Sequence, residues 1–188
     1  MAQVIYICWV SGTGKTSIVK HLQTDKTYTT IFFSGEMKRI GLECGYISSP
    51  EDVYRLDNNK RQLLEDEVRR HISHLKKDAL HKIVIDGHLM VEWADWIPRP
   101  TLSLEQGALV DELVIIQWDS AHISENRKSH WFRSTSNEQS EIEKMQVATL
   151  ERADELIHRN HTRKHIIYNS HNNLSNLIAD VEKIIQSI

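Results

Sequence analysis

The sequence is poor in cysteine, with only Cys8 and Cys44 among its 188 residues. Cys8 falls in an apolar run that is typical of a central strand, which argues against a disulfide framework and favours a reducing, cytoplasmic location. No internal repeat or low-complexity segment occurs. A chain of this length and of ordinary hydrophobic content, 40%, is expected to fold as one domain over residues 1–188.

The sequence also lacks a charge excess and a long apolar run. Its net charge of -3 argues against bulk binding to nucleic acid, so basic residues must act singly, where phosphates bind. No uncharged stretch is long enough to span a bilayer, and no basic region precedes the first apolar run, so we expect neither a membrane segment nor a signal peptide. The 11 histidines are scattered and match no known zinc spacing.

What the sequence does contain is a phosphate-binding loop close to its start. The apolar run Val4–Cys8 leads into Trp9-Val10-Ser11-Gly12-Thr13-Gly14-Lys15-Thr16, and helical spacing begins directly afterwards. The glycines let backbone N–H groups face an anion at a helix N-terminus. Lys15 would neutralise β- and γ-phosphate oxygens, and Thr16 would hold Mg²⁺. We therefore predict that ATP contacts the segment from Ser11 through Gly12, Thr13, Gly14 and Lys15 to Thr16; the alternative is a plain strand-to-helix turn.

A second acidic position supports this interpretation. The apolar run 82–86 ends in Asp86, and a carboxylate at the end of a strand beside such a loop is a typical magnesium ligand. His88 follows two residues later, where it would either contact phosphate or cap a turn. We assign Asp86, with Thr16, to the metal and His88 to the substrate.

The periodicities predict an α/β fold with a mainly parallel five-stranded sheet and helices on both faces. Strands are expected at 4–8, 29–33, 82–86, 113–118 and 165–168. Residues 35–80 form a helical excursion, with a long amphipathic helix through Leu64, Val68 and Ile72. Residues 93–100 suggest an irregular excursion over the sheet, and Ser136 is expected to open a capping box for a further helix. Ligands of such sheets bind at the carboxyl ends of the strands.

Four arginines are placed where phosphates would gather. Arg55 precedes the long helix, Arg127 and Arg133 bound a segment without an apolar stripe, as a mobile lid would, and Arg152 shares a helix face with the apolar Met145. Surface exposure is the alternative for each. Other basic pairs, at 69–70 and 76–77, lie among acids and are expected to be solvated.

With these residues in view, the sequence resembles the archaeal-type adenylate kinases, a family that includes eukaryotic nuclear relatives linked to ribosome assembly. The resemblance covers nearly the whole chain. Its motifs are Val10 to Thr16, Tyr54-Arg55-Leu56, Lys60-Arg61-Gln62, Ile85-Asp86-Gly87-His88 and the segment from Arg127 to Arg133.

This resemblance implies a P-loop kinase fold with an acceptor-binding excursion at 35–80 and a lid at 121–140. It also implies Mg²⁺-dependent phosphoryl transfer from ATP to AMP, with the acceptor on Arg55 and Gln62. The sequence departs from the family at Trp9, which replaces a glycine, at Thr135 in the lid, and at the central loop, where Ile97-Pro98-Arg99-Pro100 stands. Two other hypotheses remain open: a kinase for another small acceptor, and a slow ATPase that assembles a protein or ribonucleoprotein partner.

Overall fold

The structure, a computed structural model, describes residues 1–92, 98–130, 136–169 and 173–188. Seven strands are found: β1 Val4–Cys8, β2 Tyr28–Phe32, β3 Lys82–Gly87, β4 Met90–Glu92, β5 Pro98–Pro100, β6 Glu112–Gln117 and β7 Arg163–Tyr168. Five of them form a parallel sheet in the order β2-β3-β1-β6-β7, which confirms the predicted α/β architecture.

Helices cover both faces of this sheet. They are α1 Lys15–Leu22, α2 Phe33–Glu43, α3 Asn58–Asp78, α4 Ser120–His130, α5 Gln139–Asn160 and α6 Leu174–Ser187, with 3₁₀-helices at Pro50–Arg55 and Gln106–Leu109. Within the described ranges, none of these helices combines the length and apolarity that a bilayer span requires.

The central strand β1 is apolar along its whole length because both of its faces are buried. Val4, Tyr6 and Cys8 belong to the core under α2, α3 and α5, whereas Ile5 and Ile7 belong to the core under α1 and α6. A strand buried on two sides loses the polar alternation of a solvent-facing strand. This packing places the carboxyl end of β1, and the loop that follows it, at the centre of one sheet edge.

Two local predictions need correction. Residues 98–100, expected to be irregular, form β5 and pair antiparallel with β4; Trp93 and Trp96 lie outside the described residues. The predicted capping box at Ser136 is not formed, because α5 begins at Gln139 and the Ser136 hydroxyl accepts instead from the N–H of Glu138. Within the predicted excursion, Ser49 and Asp52 cap the 3₁₀-helix Pro50–Arg55, and Asp52 Oδ2 accepts from the N–H of Ser49 at 2.8 Å.

Candidate active site

The loop between β1 and α1 has the backbone of an anion-binding turn. Gly12 and Gly14 have φ values of 94° and 91°, a left-handed conformation that a residue with a Cβ adopts only with strain. Gly14 also caps α1 at its N-terminus, so the positive end of the helix dipole faces the loop. Within the described residues, the N–H groups of Gly12, Thr13 and Gly14 donate to no other residue. They are therefore available to a phosphate.

Three successive carbonyls of this loop are held by side chains. Lys15 Nζ donates to Val10 O at 2.9 Å, Arg127 Nε to Ser11 O at 3.0 Å, and Asn126 Nδ2 to Gly12 O at 2.6 Å. Because the C=O and the next N–H of a trans peptide point in opposite directions, fixing these carbonyls also fixes the orientation of the N–H groups that follow them. Asn126 was not predicted as a site residue. Its contact depends on the packing of α4 against the loop, which no local pattern reports.

Thr16 and Asp86 form the part of the site that suits a divalent cation. The Thr16 hydroxyl donates to Asp86 Oδ2 at 2.6 Å, and the register of β1 and β3 pairs Ile7 with Asp86. One carboxylate and one hydroxyl are hard oxygen donors of the kind that hold Mg²⁺ together with substrate phosphates. In the described ranges, no group of three or more His, Cys, Asp or Glu side chains could hold a metal ion. The donor set fits a magnesium ion that arrives with a nucleotide.

Lys15 is buried, with 4% of its surface exposed. Burial lowers the pKa of its ammonium group to about 8, although Asp86 and Cys8 favour the charged form. The burial itself was not predicted, because the lysine was expected to lie on the loop outside the core. A nearby phosphate would restore the full charge of Lys15, since an opposite charge favours the protonated form.

Arg127 lies against the loop and is 2% exposed. Besides Ser11 O it donates to the backbone carbonyl of Ser136, so one guanidinium joins the loop, α4 and the approach to α5. A Cβ at Gly12 would lie 3.1 Å from Arg127 Cγ, which shows how closely the two chains approach. Arg133, the second predicted lid arginine, lies outside the described residues.

His88 connects the loop to the end of β3. Its Nδ1 lies 3.2 Å from Gly87 O, and its Nε2 lies 3.2 Å from Ser11 Oγ. Because a carbonyl only accepts, Nδ1 is the donor and Nε2 accepts from the serine hydroxyl. Burial, and then the charges of Lys15, Arg127 and Arg61, hold the His88 pKa well below its usual range. The imidazole is neutral at neutral pH and lies in a positive environment.

The predicted acceptor residues are less closely associated with this loop. Arg55 ends the 3₁₀-helix and is exposed, as is Gln62, whose amide donates to Asp66 at 3.2 Å. In the described part of the chain, neither has a hydrogen bond or ion pair with the loop. Arg152 is largely covered; it pairs with Glu155 at 2.6 Å and donates to the Leu102 carbonyl. The role of these residues stays a prediction.

Arg69, expected to be solvated, is instead buried. It is 4% exposed, and its guanidinium pairs with Glu65 at 2.9 Å and Asp66 at 2.7 Å and donates to Thr101 O. Glu65, itself 4% exposed, also lies 3.3 Å from Arg61 Nε. Position 69 directly follows Val68 of the apolar stripe, and Glu65 precedes it by one helical turn. This spacing of Glu65 and Arg69 along the edge of the apolar stripe is the sequence signal that could have predicted their burial.

Lys76, the other residue expected to be solvated, is also partly buried. It pairs with Asp111 at 2.8 Å and donates to Leu109 O. Arg70 and Lys77 are exposed, as predicted.

Gly87, which lies between Asp86 and His88, has no room for a side chain. A Cβ there would lie 2.1 Å from the Tyr6 hydroxyl oxygen. Tyr6 is 1% exposed and donates to His88 O at 3.1 Å. The tyrosine ring therefore occupies the space that a side chain at position 87 would need.

Trp9 departs from the loop motif, but its side chain packs in the core. Its φ is not positive, and the residue is 2% exposed within the core on the α3 and α5 face. The indole thus points away from the loop, in the direction that its size predicts. Its Nε1 has no hydrogen-bond partner within the described residues.

These features define a P-loop α/β domain, with the loop, its lysine and the carboxylate of Asp86 at the carboxyl edge of a parallel sheet. The model of the AAA domain family, AAA_17, matches residues 10–146, and the chain belongs to this family. A search of curated proteins finds no match to the sequence.

Two solved structures are similar to this chain over almost their whole length. Shikimate kinase from Acinetobacter baumannii, in complex with shikimate, has a TM-score of 0.64 and 16% identity, and the match covers 100% of this chain and 94% of that chain. Thymidylate kinase from Candida albicans has a TM-score of 0.62 and 15% identity, with 99% and 92% covered. These likenesses confirm a P-loop kinase fold; the closer relation to archaeal-type adenylate kinases stays a prediction.

Proposed function

We propose that this protein is a kinase that transfers the γ-phosphoryl group of ATP to a nucleoside monophosphate, with AMP as the first candidate. The loop carries this proposal. It combines free N–H groups, a buried lysine, and a hydroxyl and a carboxylate 2.6 Å apart. This combination suits a triphosphate better than it suits a purely structural turn.

The reaction needs little covalent help from the protein. An acceptor oxygen forms a bond to the γ-phosphorus, the bond to the β–γ bridging oxygen breaks, and its electron pair leaves with ADP. Lys15 and Arg127 would neutralise the charge on the transferred group, and the loop N–H groups would orient the phosphates. Bound Mg²⁺, held by Thr16 and Asp86, would add further neutralisation of phosphate charge.

A second candidate is a kinase for a small acceptor without a nucleobase. Two observations favour it: Arg55 and Gln62 are exposed, whereas Arg69 is buried and donates to the carbonyl of Thr101, whose hydroxyl donates to His88 O. The similar A. baumannii enzyme is a shikimate kinase, so hydroxy acids belong in any test of acceptors.

The decisive experiment is a screen for ATP- and Mg²⁺-dependent phosphoryl transfer over ribo- and deoxyribonucleoside monophosphates, with hydroxy acids beside them. Lys15→Met serves as the inactive control. Transfer to AMP or another nucleoside monophosphate supports the proposal, and transfer to a hydroxy acid alone supports the second candidate. Slow hydrolysis that no acceptor accelerates would contradict both and favour the assembly-factor hypothesis.

A further inference from the structure

Three buried side-chain donors lack a hydrogen-bond partner within the described residues. They are Trp9 Nε1, Arg69 Nε and Arg152 Nε. Native proteins rarely leave a buried donor without a hydrogen bond, because the donor loses its water without gaining an acceptor. All three atoms are donors and none is an acceptor. Two of them belong to guanidinium groups, which make their strongest hydrogen bonds to acceptors that carry negative charge.

The two arginines lie at the same short segment, although they come from different helices. Arg69 on α3 donates to Thr101 O, and Arg152 on α5 donates to the next carbonyl, Leu102 O. This segment directly follows β5, and α5 packs against both strands of the β4–β5 hairpin. The Thr101 hydroxyl donates in turn to His88 O. The arginines therefore lie beside the residue that contacts Ser11 of the phosphate-binding loop.

The other nitrogens of both guanidinium groups are occupied. Those of Arg69 meet Glu65, Asp66 and Thr101 O, whereas those of Arg152 meet Glu155 and Leu102 O. Each arginine is thus held in place by protein groups and retains one N–H. Around His88 the nearest charges that act on the imidazole are all cationic. Two guanidinium N–H donors, fixed at one segment beside this cationic region, suit an oxyanion with at least two oxygens.

We infer that Arg69 and Arg152 bind an anionic group of the acceptor, a carboxylate or a phosphate, at the Thr101–Leu102 segment. This inference rests on the proposed kinase function and deepens it, because it requires an acceptor that carries an oxyanion. In a nucleoside monophosphate the bound oxyanion is the phosphate itself. In a hydroxy acid it is the carboxylate, and the hydroxyl receives the phosphoryl group.

The test measures anion binding while the nucleotide loop is filled. The protein is saturated with ADP and Mg²⁺, and its thermal unfolding is followed while inorganic phosphate or malate is added. We expect either probe to raise the Tm further, and the stronger of the two identifies the oxyanion. Arg69→Gln and Arg152→Gln should each weaken the affinity for the probe by about tenfold or more, because each removes a charged donor.

Arg70→Gln is the matched control, since Arg70 is exposed, neighbours Arg69 on α3 and pairs only with Glu67 within the described residues. It should bind the probe as the wild type does. Arg69→Gln takes a cationic partner from the buried Glu65 carboxylate. If that change unfolds the protein, the double variant Glu65→Gln/Arg69→Gln, which removes both charges, is used in the test instead of Arg69→Gln. An equal response in the wild type and in the Arg69 and Arg152 variants, or no response of the wild type to either probe, overturns the inference. Stabilisation by ADP alone tests the nucleotide site separately.

Discussion

The proposed nucleotide side and the proposed acceptor side of this protein are built in different ways. On the nucleotide side, the main groups come from one short segment, residues 10–16, and its neighbours Asp86 and Arg127 contact that segment directly. On the acceptor side, charged groups come from α3, α5 and the segment after β5, and they meet only through the packing of these elements. Under the proposed function, phosphate recognition therefore depends on local backbone geometry, whereas acceptor recognition depends on how distant helices are placed. Changes on the two sides should separate ATP parameters from acceptor parameters.

The largest effect is expected from Lys15→Met, which keeps an unbranched side chain but removes the charge. Loss of one such preorganised donor lowers kcat by about 10³-fold. Turnover of ATP is the measurement, and Lys20→Met, an exposed change on the same helix, is the control. A folded Lys15→Met protein with full activity would remove the loop from the mechanism.

Trp9 lies between the two sides, because it starts the loop yet packs in the core. Trp9→Gly should lower the free energy of unfolding by about 3–5 kcal/mol, since a large buried side chain is lost. Chemical denaturation measures this, with exposed Tyr54→Ala as the control. In the folded fraction we expect kcat to rise without a large change in ATP affinity, because glycine lets the chain turn more sharply at the entry of the loop. A variant that is stable and slower would show that the indole serves substrate binding.

A pH effect should follow from the buried ammonium of Lys15. Between about pH 8 and its unfolded pKa of 10.5, the unfolded chain binds a proton that the native lysine has released. The stability contributed by this group therefore rises with pH in that window, by up to about 3 kcal/mol. The difference in unfolding free energy between wild type and Lys15→Met isolates it. The Cys8 thiol, whose pKa burial raises to about 12 against a smaller lowering by Lys15, opposes the trend above pH 9. A difference that does not change with pH would contradict the assignment.

Arg127→Gln should weaken ATP binding and lower kcat together, each by about tenfold, because the arginine holds Ser11 O before any acceptor binds. A lid role for Arg127 predicts instead that kcat falls with less effect on ATP affinity measured without acceptor. For Arg133→Ala we keep that prediction. Nucleotide titration without acceptor and steady-state kinetics distinguish the two, with exposed Lys128→Gln as the control. Unchanged ATP affinity in Arg127→Gln would indicate that Arg127 acts in a closing lid and does not hold the loop for ATP.

The smallest effect is expected from Arg55→Ala. An exposed cation contributes about 1 kcal/mol at most, so the KM of the acceptor should rise up to about fivefold while the ATP affinity holds. Lys60→Ala, exposed at the start of α3, is the comparison. A fall in ATP affinity with no change in the KM of the acceptor would reverse the assignment of the two sides.

The accuracy of the sequence-based predictions follows the same division. The strand before the loop, the glycine positions and Asp86 were predictable, because hydrophobic runs and turn residues act over a few neighbouring positions. The burial of Arg69 was missed, since charge patterning on a helix does not reveal which face another element will cover. Asn126 was missed for the same reason: its partner, Gly12 O, lies 114 positions away.

By itself the sequence determined the parallel α/β class and the phosphate-binding loop, since both depend on local periodicity and on the conformational freedom of particular glycines. The tertiary structure alone decided that Trp9 packs inward, that Tyr6 requires Gly87, and that Arg69 and Arg152 meet one segment after β5. These outcomes depend on which surfaces compete for the same space and on which polar groups lose their water. Such competition arises only when elements distant in the chain pack together.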